Sequence, residues 1–155
     1  MFLASPESAA VRRLVLSSNM ITDCGEDPSG LKALCEVLLT LKHPISLDLA
    51  NCGFGVAEVA EGAAAIQAGA AVACLFLDGN PLTGGEYDDE FDTNINGVTS
   101  LFDTLKTSSV TQLGLAKCRL GPGSLAKLAE YVCDAEAAIT SLAISANDGL
   151  SLIHI

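Results

Sequence analysis

The sequence predicts an α/β solenoid: an open arc of about five strand–helix units, with a parallel sheet on the concave face and helices on the convex face. Three observations carry this expectation. A nine-residue template recurs five times in 155 residues. Within each copy the apolar residues alternate with period two, the pattern of a strand with one buried face. Between copies they recur every three or four residues, the pattern of a helix with one buried stripe. Strand then helix, repeated, gives parallel strands joined by right-handed crossovers. Units this short let each helix cover only its own and neighbouring strands, so the sheet stays an open arc.

The five copies are VRRLVLSSN (11–19), PISLDLANC (44–52), VACLFLDGN (72–80), VTQLGLAKC (110–118) and ITSLAISAN (139–147). Their central leucines, Leu14, Leu47, Leu75, Leu113 and Leu142, are spaced by 33, 28, 38 and 29 residues. Strands are expected near 13–16, 46–49, 74–77, 112–115 and 141–144. Each copy ends on a turn residue: Asn19, Cys52, Asn80, Cys118 and Asn147. An Asn side chain there can bond backbone groups that the turn leaves unpaired. Cys can fill the same slot as a small, weakly polar residue. Helices are expected over 30–42, 56–69, 96–106 and 123–135. Ser29 and Ser124 read as helix-start residues, and Asn96 as a cap for the third helix.

The alternation of Asn-type and Cys-type turns is similar to that of the ribonuclease-inhibitor-like leucine-rich repeats. So are N-M-I-T-D-C-G (19–25) and C-R-L-G-P-G-S-L-A-K-L (118–128). The resemblance covers about residues 11–149. It implies a leucine-rich repeat horseshoe, a solenoid that binds another protein. Two alternatives use similar repeats: a regulator of small GTPases resembling the Ran GTPase-activating proteins, and the sensing end of a NOD-like receptor.

Composition narrows the partners. The net charge of −11 argues against nucleic acid, which needs clustered Lys and Arg, and against anionic lipid. No run of 18 apolar residues is present, so no membrane span is expected. The six cysteines include no C-x-x-C pair and the two histidines are isolated, so no metal site is expected. Most cysteines sit in apolar segments, which reads as buried thiols in a reducing, cytoplasmic setting. No nucleophile elbow, Walker loop or paired His with carboxylates is present, so no enzyme and no cofactor are expected.

The ends read as cut. Residues 1–10 form an uncapped N-terminal stub without a signal-peptide pattern, and no capping unit follows the fifth copy. Leu150 to Ile155 match the translation of CTG-TCT-CTT-ATA-CAC-ATC, an adaptor of DNA libraries. These six residues are expected to be an artefactual tail on a fragment of a longer protein.

The candidate binding residues lie beside the core leucines and point into the arc: Arg13, Val15, Asp48, Phe76, Asp78 and Gln112, with Lys117 towards one end. Their neighbours are mostly small, which leaves room for a partner. Phe76, in the central copy between two aspartates, reads either as an interface anchor or as a cover for small neighbours. The 38-residue step carries an acidic insertion near 84–95. Asp88, Asp89, Glu90 and Asp92 there either grip a basic partner or belong to a tolerated solvated loop. Asp92, Asn94, Asn96, Gly97 and Asp103 follow the spacing of a calcium loop. Asp103 is a short final ligand and no helix precedes Asp92, so the solvated loop is the expectation.

Overall fold

In the computed structural model, described for residues 11–87, 89–134 and 136–147, each leucine pair forms a short strand. The strands are β1 (Arg13–Val15), β2 (Ile45–Asp48), β3 (Val72–Phe76), β4 (Gln112–Gly114) and β5 (Ser141–Ala143). They make one five-stranded sheet in sequence order, every pair parallel. The central leucines are in register across all five strands, from Leu14 through Leu47, Leu75 and Leu113 to Leu142. Four α-helices, α1 (Ser29–Leu38), α2 (Val56–Gln67), α3 (Asn96–Leu105) and α4 (Pro122–Val132), follow the first four strands. The result is a leucine-rich-repeat-like arc.

Sheet and helices meet in one aliphatic core. Leu47, Leu49, Leu75, Leu77, Leu113 and Leu115 are buried from the sheet side. Leu31, Leu34, Val59, Val98, Leu101, Leu105 and Leu128 meet them from the helices. At the edge strands Leu14 and Leu142 are half-buried, because each has a neighbouring strand on one side only among the described residues. Burying a leucine side chain contributes roughly 2 kcal/mol, so the interior strands hold the arc.

The turns explain how such short strands persist. The ladder runs on past each strand, with Ser18 N–H donating to Ala50, Asn51 to Asp78, Gly79 to Ala116 and Lys117 to Ser145. All five residues at this position, Ser18, Asn51, Gly79, Lys117 and Ala146, have φ between 54° and 73°. Four of them are not glycine, and such backbone costs an L-residue about 1 kcal/mol or more. At Gly79 the Asn51 amide fills the space that a Cβ would take, so a side chain there must displace it. Lys117 therefore belongs to a strained turn rather than to the strand face.

Ser29 starts its helix as expected, whereas Asn96 and Ser124 take other places. Ser29 is the first residue of α1, its N–H held by Asp27 Oδ1 at 3.0 Å. Asn96 begins α3, and Asn94 Oδ1 accepts its N–H at 3.0 Å. Ser124 lies inside the first turn of α4, buried, after Gly121 and Pro122. Proline is pre-organised for the first helical position, so α4 starts earlier than a serine-based reading places it. Cys24 and Cys133 are exposed, Cys133 at the end of α4 and Cys24 in a 3-10 turn, against the expectation of mostly buried thiols.

Among the described residues no helix is long and apolar enough to cross a membrane. The expected stub at 1–10, Asp88 and the tail at 150–155 lie outside the described residues.

Candidate functional site

Register aligns the concave face into rows. One row is Arg13, Ser46, Cys74, Gln112 and Ser141, and the next is Val15, Asp48, Phe76, Gly114 and Ala143. A third, beyond the strand ends, is Ser17, Ala50, Asp78, Ala116 and Ser145. Arg13 and Gln112 are exposed, Val15 is half exposed, and Asp48, Phe76 and Asp78 are half-buried. No described element covers this face.

The centre of the face is built around Gly114. A Cβ there would lie 2.7 Å from Asp78 Oδ2 and 2.9 Å from Phe76 Cδ1. Glycine in a strand interior forfeits packing and chain entropy, and here it lets the ring and the carboxylate approach the β4 backbone closely. Asp78 Oδ1 accepts the Ala116 N–H at 2.8 Å, and Asp48 Oδ1 accepts the Ala50 N–H at 3.0 Å. Both carboxylates are thus oriented by the sheet. The described ion pairs, Lys106–Asp103 and Lys127–Glu130, lie on α3 and α4, and neither aspartate has a basic partner among the described residues.

The turn residues fall into two chemical roles. Asn80, fully buried, accepts the N–H groups of Cys52 (2.9 Å) and Phe54 (3.0 Å) and donates to the carbonyls of Leu49 (2.9 Å) and Leu77 (2.8 Å). Asn147 repeats this with Cys118 and Leu120, donating to Leu115 and Ile144. Each Asn staples its own turn to that of the preceding unit. Cys52 Sγ donates to Leu16 O (3.3 Å) and Cys118 Sγ to Leu77 O (3.2 Å), so the cysteines are hydrogen-bonding links between units as well as fillers. Burial pushes the Cys118 thiol up to about 12, and raises that of Cys52 in the same direction. Asn19 is the exception: it is exposed and its amide donates only to Leu16 and Ser17 of its own turn.

The acidic insertion is folded back on the repeat. The Asp92 carboxylate accepts the N–H groups of Gly121 (2.8 Å) and Gly123 (2.7 Å), and the Ser124 N–H and Oγ–H, so it caps α4 from 29 to 32 residues away. An anion at a helix N-terminus is favoured by the unpaired amides and the helix dipole. Thr83 Oγ1 donates to Arg119 O, and Arg119 donates to the carbonyls of Gly84 and Gly85. Glu90 Oε2 accepts the N–H groups of Glu86 and Tyr87, closing the tip. Asp92 thus faces the next unit and the half-exposed Glu90 its own loop tip, while Asp89, Glu86 and the 64% exposed Tyr87 face solvent. Of the calcium-loop spacing, Asp92 faces α4, and Asp103 pairs with Lys106 at 3.3 Å on α3. These long-range partners leave no periodic signal in the residue order, because Asp92 and Gly121 meet only once two units have stacked.

No protein-family model matches the chain, and no curated protein matches it in sequence. In fold it is similar to the solved structure of the tropomodulin C-terminal domain of Caenorhabditis elegans. That likeness has a TM-score of 0.67 and 16% sequence identity, and covers 97% of this chain and 86% of that one.

Proposed function

We propose that this chain is a protein-interaction module that seats a partner protein on the concave sheet face, with Phe76 as the central anchor. The observation that carries the reading is the uncovered face itself. A half-buried aromatic lies on glycine at its middle, ringed by residues small enough for another backbone to approach. Arg13, Val15, Asp48, Asp78 and Gln112 complete the surface, Lys117 flanks it from its turn, and Tyr87 with Asp89 offers a second contact from the insertion. A central aromatic surrounded by near-neutral contacts is the usual energetic core of an interface. The paired roles of Asn80 and Asn147 against Cys52 and Cys118 support a repeat of the ribonuclease-inhibitor type. The six unpaired thiols fit a reducing, cytoplasmic setting, and a purely binding, non-enzymatic role accounts for the face.

The test is site-specific photo-crosslinking from position 76, compared with the same probe at the exposed convex position Glu36. A discrete protein adduct from position 76 only, whose binding Phe76→Ala weakens by about 2 kcal/mol or more, is expected. Equal adducts from both positions, or unchanged affinity of Phe76→Ala, would remove the concave face from consideration.

A further inference from the structure

We propose that the concave face recognises a basic segment of its partner by holding an arginine guanidinium against the Phe76 ring between Asp48 and Asp78. This assignment rests on the concave-face reading above and adds the partner's chemistry to it.

The geometry is set by the sheet. Asp48 stands directly beside Phe76 by register, and Asp78 lies two residues further along the same face of the chain that carries Phe76. Asp48 Oδ1 is held by Ala50 on the β2 side and Asp78 Oδ1 by Ala116 on the β4 side, so the carboxylates stand two strand spacings, about 10 Å, apart across the strand of Phe76, a gap that one guanidinium lying over the ring spans by donating from each edge. Each carboxylate has one oxygen fixed by a backbone N–H, from Ala50 or Ala116, which leaves its second oxygen for an external donor. Gly114 permits the ring and Asp78 to lie side by side, a placement any Cβ would obstruct. Two carboxylates beside an aromatic without a basic partner among the described residues are an uncompensated negative site. A cation that brings its own hydrogen bonds compensates it. Arginine suits it better than lysine, because its planar fork both pairs with carboxylates and stacks on aromatic rings. The chain's net charge of −11 steers basic partners towards it. The acidic insertion is the rival, but Asp92 is spent on the N-terminus of α4 and Glu90 on the amides of its own loop tip.

The experiment titrates the isotope-labelled chain with a blocked hexapeptide carrying two arginines and with its citrulline counterpart, following amide shifts by NMR. Weak binding with shifts at 46–50, 74–79 and 112–116 is expected, at least about tenfold weaker for citrulline. Asp48→Asn/Asp78→Asn keeps both amide acceptors, so it should fold, and should weaken the arginine peptide about tenfold. Glu36→Gln/Glu130→Gln removes the same charge from the convex helices and should leave binding unchanged. Equal weakening by both variants, equal binding of citrulline, or no shifts up to about 5 mM peptide overturns the assignment. Arginine-dependent shifts confined to the helices overturn the concave reading as well. A protein adduct from position 76 that Asp48→Asn/Asp78→Asn leaves intact keeps the concave reading and refutes the arginine.

Discussion

At the scale of single residues, one buried amide does more than one leucine. Asn80 satisfies two N–H groups of the preceding turn and two carbonyls at once, all out of reach of water. Removing it strands these groups at about 1–3 kcal/mol each before relaxation. Asn80→Ala is therefore expected to lose about 3–5 kcal/mol in urea denaturation. Asn19→Ala, at an exposed site where the side-chain amide donates to Leu16 and Ser17 of its own turn, should lose less than about 1 kcal/mol. Equal losses would show that the two asparagines play the same part. Cys118 adds a pH signature. Its ordinary pKa is 9.0 and burial in the fold pushes it up to about 12. The unfolded chain releases the proton first, so the contribution is whole below pH 9.0 and is lost as pH rises towards 12. Cys118→Ser, which keeps a donor for Leu77 O, should lose less stability over that alkaline range than the parent chain. Parallel alkaline melting curves would contradict this.

At the scale of elements, the helices are unequally packed, and two glycines diagnose it. A Cβ at Gly62, midway along α2, meets nothing within 4 Å, whereas at Gly97 it would lie 2.6 Å from Val56 O and 2.5 Å from Val59 Cγ1. Gly62→Ala should stabilise by about 0.5–1 kcal/mol through helix propensity alone. Gly97→Ala should destabilise by about 1–3 kcal/mol, because α3 must back away from α2. Thermal melts showing the same sign for both would contradict the packing described. The insertion acts at this scale too. With Asp92 as its only described side-chain cap, α4 depends on a loop of the neighbouring unit. Asp92→Ala should cost about 1–2 kcal/mol and raise proteolytic cutting near 84–95. Unchanged stability and cutting would mean that the loop is held by other contacts.

At the scale of the whole molecule, stability follows the order of stacking. An apolar cavity of about 40 Å³ lies between α1 and α2, lined by Leu34, Leu38, Val59 and Ala65 among others. Its lining is apolar, so the side chains facing it forgo dispersion contacts there. The first unit combines this loose seam with an edge strand and an exposed Asn19. In a quasi-one-dimensional fold such a unit opens by itself. Native-state hydrogen exchange is expected to release amides of 14–42 before those of β3 and β4. Uniform protection across all strands would instead indicate a single cooperative block.

The repeats, their strand and helix types, the aliphatic core and the turn positions were legible in the residue order, because periods of two and three-to-four are written locally. The leucine spacing also placed Phe76, Asp48 and Asp78 on one face without coordinates. Stacking of units decided the rest. Left-handed backbone at Ser18, Asn51, Lys117 and Ala146 is invisible where the residue is not glycine, since the ladder imposes it. Asp92 reads as one more acid in an acidic stretch until the fourth unit brings Gly121 and Ser124 beneath it. Gly114 reads as a weak strand residue until Phe76 and Asp78 are seen lying on it. Such long-range partners have no periodic signal, because the distance that joins them exists only between neighbouring turns of the solenoid.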